Sequence, residues 1–220
     1  MAKRTLVLGP KNYSSWSMRA WLLLRWLQLP FDEITIPLYG EHSRAWLLRY
    51  SPAAKVPVLI DDGVTIWDTL AIVMHLADAC PHIWPTDPAK RAYARSICAE
   101  MHAGFQHLRN TMPYNARGRG RRVVMTPDLV ADIARVREIW TEGRRRFGAG
   151  GPWLLGEFGI ADIMFAPPAI RFVTYGVTLN GIAESYSRRL LGHPLVREWL
   201  TLGQADAVIP ACELGGTGVA

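Results

Sequence analysis

Every strand-like run in this 220-residue chain falls before residue 68. Thr5–Leu8 is short and apolar, Phe31–Ile36 alternates, Val56–Ile60 opens on a proline, and Val64–Ile66 returns from it. Helical patterns over 16–27, 43–50 and 69–78 interleave with them. The order β-α-β-α-β-β-α calls for a small mixed sheet carrying helices. A strand–helix–strand opening favours a parallel pair, and Asp61-Asp62-Gly63 sets an antiparallel hairpin. Cys80 to Pro88 then holds three prolines and no periodicity, which places the domain linker there. The chain therefore divides into a sheet domain over 1–79, a linker over 80–88 and an all-helical domain over 89–220. In the second domain the periodicity predicts helices over 89–110, 127–147, 160–175, 183–191 and 194–202, with Pro167-Pro168 kinking or interrupting the third. The glycine-rich tail, Gly215 to Gly218, is expected to fray.

Several classes of function are excluded by the bulk chemistry. A membrane span needs about 20 apolar residues, and the richest stretch, Trp16 to Leu29, is broken by Arg19 and Arg25. Met1 to Arg4 runs into the first strand without a signal-peptide pattern, so a cytoplasmic location is expected. Cys80, Cys98 and Cys212 form no CxxC pair and read as separate reduced thiols. His102 and His107 stand five apart rather than the four that puts two metal ligands on one helix face, and no metal is expected. The net charge of +6 owes much to the arginines of 117–122 and 144–146. Those runs lack interleaved aromatics, so they read as solvated loop and helix-end charge rather than a nucleic-acid surface. A moderate positive field also suits a small anionic ligand.

Three local features of the first domain carry chemistry. Ser14-Ser15 stands where the first helix begins, and a helix N-terminus offers unpaired N–H groups and partial positive charge. There a hydroxyl can also donate to a thiolate and help lower a thiol pKa. Val56-Pro57 opens a strand. A cis turn there would leave the Val56 peptide groups free to pair with an extended peptide. Asp68-Thr69 precedes the last helix of the domain; the carboxylate suits an ammonium and the helix start a carboxylate, together an amino-acid head group. Taken singly, each is as well read as a cap or an ordinary proline.

Their order resembles a known family. Ser14-Ser15-Trp16-Ser17-Met18-Arg19 is similar to the serine motif of zeta-like glutathione transferases. Lys55-Val56-Pro57-Val58-Leu59 resembles that family's cis-proline segment, and Trp67-Asp68-Thr69-Leu70-Ala71-Ile72 its acidic-or-Gln, Ser, Ala-Ile segment. Gly156 to Asp162 resembles the capping segment of its helical domain, ending in a buried structural aspartate. The resemblance implies a thioredoxin-like first domain, an all-helical second domain, glutathione as co-substrate and a homodimer. It implies that Ser14, with Ser15 as the fallback, activates the glutathione sulfur. It further implies that Val56, flanked by Lys55 and Pro57, pairs with the tripeptide, that Asp68 and Thr69 hold the γ-glutamyl head, and that His42 reaches its glycine end. Trp16, Met101, Phe105 and Met112 would then line the pocket for an apolar electrophile. Trp16 replaces the cysteine of the Ser-Ser-Cys signature, which counts against maleylacetoacetate isomerase activity but not against glutathione binding. The implied activity is conjugation of the glutathione thiolate to a small electrophile. Isomerase or peroxidase chemistry and a non-catalytic binding module stand as alternatives.

Overall fold

A computed structural model describes residues 3–214. Four strands, β1 (Arg4–Leu8), β2 (Asp32–Thr35), β3 (Val58–Asp61) and β4 (Val64–Trp67), form one sheet in the order β2-β1-β3-β4. β1 runs parallel to β2 and antiparallel to β3, and β3 and β4 form the Asp-Asp-Gly hairpin. Side chains alternate across the sheet as the period of two requires. Leu6, Leu8 and Leu59 face the main core, whereas Val7 and Val58 face a smaller cluster with Leu47. Leu47 belongs to α2 (Ser43–Leu48). The opposite side carries α1 (Ser15–Trp26) and α3 (Thr69–Ala79), which pack on each other.

A 3-10 turn, Pro81–Ile83, leads to the helical region: α4 (Pro88–Ala103), α5 (Gln106–Thr111), α6 (Pro127–Phe147), α7 (Ile160–Thr174), α8 (Gly181–Leu191), α9 (Pro194–Leu202) and α10 (Pro210–Leu214). The main core runs without a break from Leu22 of α1 through Ile97 of α4 to Ile163 of α7. α7 is apolar on every side and buried throughout almost its whole length, as a central helix must be.

Four expectations need correction. The helix expected over 89–110 is two helices. Gly104 ends α4, and Phe105 adopts φ +60 before α5 begins. Arg109 folds back to cap the broken end, its guanidinium donating to the carbonyls of Met101, His102 and Gly104, a favourable place for a cation. Secondly, Pro167 and Pro168 do not interrupt α7. A proline at 168 cannot donate to the carbonyl four residues earlier, and the Met164 carbonyl instead accepts from Arg19 Nε at 3.0 Å. Thirdly, α3 is capped by Asp68 rather than Thr69. Fourthly, the arginines of 117–122 are not all solvated. Arg117 donates to the Gln204 and Asp206 carbonyls and to the Tyr13 hydroxyl, and Arg121 pairs with Glu213. The tail from Gly215 to Gly218 and residues Met1 and Ala2 lie outside the described residues.

Candidate active site

The sheet register brings the three sequence features to one edge. Val7 stands opposite Val58, and Val58 opposite Trp67. The end of β1, the start of β3 and the end of β4 therefore lie side by side. The chain leaves that edge into the α1 N-terminus, arrives there through Val56-Pro57, and departs again through Asp68 into α3.

At the α1 N-terminus Ser14 is the cap, its hydroxyl accepting from Ser17 N at 3.3 Å. The Ser14 and Ser17 hydroxyls share a hydrogen bond of 2.7 Å, and Ser17 Oγ also accepts from Gly9 N at 3.0 Å. A hydroxyl has one proton. Ser14 gives that proton to Ser17 Oγ, so donation to a ligand requires the Ser14 hydroxyl to turn away from Ser17. A Cβ at Gly9 would lie 2.5 Å from Leu38 Cδ1 and 3.2 Å from Ser14 Cβ, so the Leu38 side chain would have to move to admit one. Ser15 turns the other way, toward the helical region. Its hydroxyl accepts from Arg171 Nη2 at 3.3 Å and its carbonyl from Arg19 Nη1 at 3.2 Å. Ser14 and Ser15 are both buried, at 5% exposure.

The Val56–Pro57 peptide bond is cis. Among the described residues, neither the N–H nor the carbonyl of Val56 has a protein hydrogen-bond partner. Lys55 is exposed beside it and Pro57 is buried beneath the edge. His42 is exposed ahead of α2 and makes no cap hydrogen bond, its ring 6.4 Å from that of Trp46. Asp68 Oδ1 accepts from the N–H groups of Leu70 and Ala71 at 3.0 and 3.1 Å. Its Oδ2 lies 2.9 Å from His102 Nε2 of α4. The Thr69 hydroxyl points inward and donates to the Trp16 carbonyl at 3.4 Å, so at the edge Thr69 presents only its N–H.

The expected electrophile pocket is placed differently. Met101, Phe105 and Met112 are at most 6% exposed and belong to the main core. Their side chains are packed in that core and present almost no surface. Trp16 alone of the four is half-buried. Its ring is sandwiched between two guanidiniums, Arg19 at 4.8 Å and Arg109 at 4.4 Å, and meets the His102 ring edge-on at 5.3 Å.

The sequence reading missed several residues now found beside Ser14 and Ser15. Ser17 follows at i+3 from a cap, the position whose N–H a cap receives, which was a usable signal. His102, Arg109 and Arg171 carry no such signal, since Asp68, Trp16 and Ser15, which they meet, lie 34, 93 and 156 residues away along the chain.

The family model described as "Glutathione S-transferase, N-terminal domain" matches residues 13–79, and that for the C-terminal domain residues 98–201. Mouse maleylacetoacetate isomerase is 32% identical over 176 residues, 77% of this chain and 78% of that protein. A probable maleylacetoacetate isomerase of Caenorhabditis elegans is 37% identical, over 46% of this chain and 47% of that protein. Among solved structures, a glutathione transferase homologue from Burkholderia with bound glutathione superposes at a TM-score of 0.70 with 22% identity, covering 93% of this chain and 100% of the other. Ure2p in complex with glutathione superposes at 0.69 with 20% identity over 90% and 93% of the two chains. Two matched domains, a whole-length fold and a sheet edge built from the Ser14, Val56 and Asp68 segments lead to one conclusion: the chain belongs to the glutathione S-transferase superfamily, as a zeta-like member.

Proposed function

We propose that the chain is a glutathione transferase that binds the tripeptide along this edge and adds its thiolate to a small electrophile. The observation that carries the reading is the pair of unpartnered Val56 peptide groups at the same edge as the α1 N-terminus. A half-buried peptide group without a partner is costly, and an extended peptide laid beside Val56, ahead of β3, would satisfy both. The N–H of Thr69 receives the γ-glutamyl carboxylate at the start of α3, and Asp68 receives its ammonium. Ser14 donates to the sulfur. His42 and Lys55, both exposed, would meet the glycine carboxylate. Rate gain comes from a larger thiolate fraction and from proximity to the bound electrophile.

Isomerisation through a glutathione adduct is the second reading, favoured by the 32% identity to the mouse isomerase. Trp16 in place of cysteine counts against it. In either case the protein acts as a homodimer in the cytoplasm, in detoxification of reactive compounds. Calorimetric titration with glutathione tests the binding step, with dissociation in the micromolar to millimolar range expected. No heat at millimolar glutathione would remove the reading altogether. Assays with aryl halides, cis-enediones and hydroperoxides then separate transferase, isomerase and peroxidase.

A further inference from the structure

Three guanidiniums meet at the junction between the sheet domain and the helices, and none of them forms a salt bridge among the described residues. Arg19 of α1 is 1% exposed and Arg171 of α7 is 5% exposed, while Arg109 of α5 is half-buried. Their hydrogen-bond partners are neutral. Arg19 donates to the carbonyls of Met164 and Ser15, Arg171 to the Met112 carbonyl and the Ser15 hydroxyl, and Arg109 to the carbonyls that end α4. Arg19 Nη2 is buried and has no hydrogen-bond partner among the described residues. The Trp16 ring lies 4.8 Å from the Arg19 guanidinium and 4.4 Å from that of Arg109. Burial and mutual repulsion hold the Arg19 pKa well below its usual value, and burial brings Arg171 and Arg109 down to about 10.

Unneutralised buried charge is expensive and is retained where it serves a site. The charged and titratable groups facing these arginines do not cancel them. Tyr114 and Tyr175 are neutral phenols, raised by burial. Tyr39 and the buried Cys98 thiol are raised likewise. Asp132 of α6 acts on Arg109 while its own carboxylate accepts from Leu108 N. Asp68 is engaged with His102. The net field of the group is positive, and it is delivered at Ser15, next to the residue that caps α1.

We propose that Arg19, Arg109 and Arg171 form a field that holds the glutathione sulfur as a thiolate, with Arg171 and Arg19 acting as positioning residues through the hydroxyl and carbonyl of Ser15. This rests on the glutathione reading above. The sulfur does not touch the guanidiniums. Its proton leaves to water, and the remaining negative charge is stabilised across a short path of low dielectric, where charges act strongly.

The test is the ultraviolet absorbance of bound glutathione thiolate, titrated against pH in the wild type, Arg171→Met, Arg171→Lys and Arg109→Met. Thermal unfolding checks that each variant is folded. The apparent pKa of the bound thiol should rise by about one unit in Arg171→Met, a tenfold lower thiolate fraction below that pKa. Arg171→Lys, which keeps the charge but loses the Arg geometry, should stay near wild type. Affinity for S-methylglutathione, which has no thiol to ionise, should be unchanged in all of them. Should Arg171→Met fail to fold, Arg109→Met carries the test with the same expected direction. The proposal is overturned if the thiol pKa does not move in a folded charge-removing variant that still binds glutathione. It is overturned equally if Lys and Met at 171 shift it alike, which would mark a packing role. A wild type that binds neither glutathione nor its S-methyl form would overturn the glutathione reading and this inference together.

Discussion

His102 Nε2 on α4 lies 2.9 Å from Asp68 Oδ2 at the start of α3, and so ties the helical region to the sheet edge that carries Ser14 and Val56. The same carboxylate caps α3 through its other oxygen. Substitutions can separate the cap this side chain makes from the binding role proposed for it.

Asp68→Asn keeps an oxygen for the cap and removes the charge. Glutathione should bind at least tenfold more weakly, with the melting temperature within a few degrees of wild type. Asp68→Ala should lose the same affinity and also about 1 kcal/mol of stability from the missing cap. Calorimetry and thermal denaturation of the two variants read these effects apart. Equal glutathione affinity in wild type and Asp68→Asn would take Asp68 out of the site.

Ser14→Ala should cut turnover at least tenfold, or ~1.4 kcal/mol in barrier height. Ser15→Ala should cost less, since the Ser15 hydroxyl is directed at Arg171 rather than at the edge. Steady-state kinetics with a chromogenic aryl halide decides between them. A full-rate Ser14→Ala protein beside a dead Ser15→Ala protein would reverse the assignment.

Asp162 gives a pH signature. Its carboxyl is buried and accepts from Leu154 N, Gly159 N and the Tyr186 hydroxyl. Burial pushes it up to about 6, against the pull of those hydrogen bonds. The unfolded value is near ~3.9. Because the folded value is the higher one, this group's contribution is fully present below about pH 4 and is lost as pH rises through about 6. A difference of about 2 units corresponds to roughly 3 kcal/mol. Urea unfolding at pH 4, 5, 6 and 7 should show wild type losing stability by about that amount relative to Asp162→Asn. A constant gap between the two proteins would show that the carboxyl titrates alike in both states.

Thiol accessibility supplies a check on packing. Burial raises the Cys98 thiol far above its usual range, and a thiol that stays protonated is a poor nucleophile. In native protein Cys98 should resist an aromatic disulfide reagent and react only on addition of denaturant. Cys80 is half-buried and should react first. Prompt native-state labelling of Cys98, identified by mass spectrometry, would mean that α4 does not pack as described.

Much of the architecture could be read from local sequence because local physics sets it. Pro127 at the first position of α6 and Pro194 at that of α9 mark their helix starts. The alternation of Leu6, Val7 and Leu8 gives β1 its two faces. Asp61-Asp62-Gly63 makes the hairpin, with φ of +47 and +86 at its last two residues. Ser14-Ser15, Val56-Pro57 and Asp68-Thr69, which the register brings to one edge, were legible as candidate segments for the same reason, each being a cap or turn with its own residue preferences.

What the sequence could not give depends on contacts between residues far apart along the chain. Local propensity continued one helix past residue 103; the break at Gly104 and Phe105 is fixed by Arg109 folding back onto the Met101, His102 and Gly104 carbonyls. Pro168 looked like a helix breaker because its missing donor leaves a carbonyl open, and only the fold shows Arg19 arriving to take it. The same packing drew Met101, Phe105 and Met112 into the core and brought Arg171 to Ser15, 156 residues away. Period and capping chemistry are properties of neighbouring residues. Burial, and the unbalanced charge that burial traps beside Ser15, are properties of the closed fold.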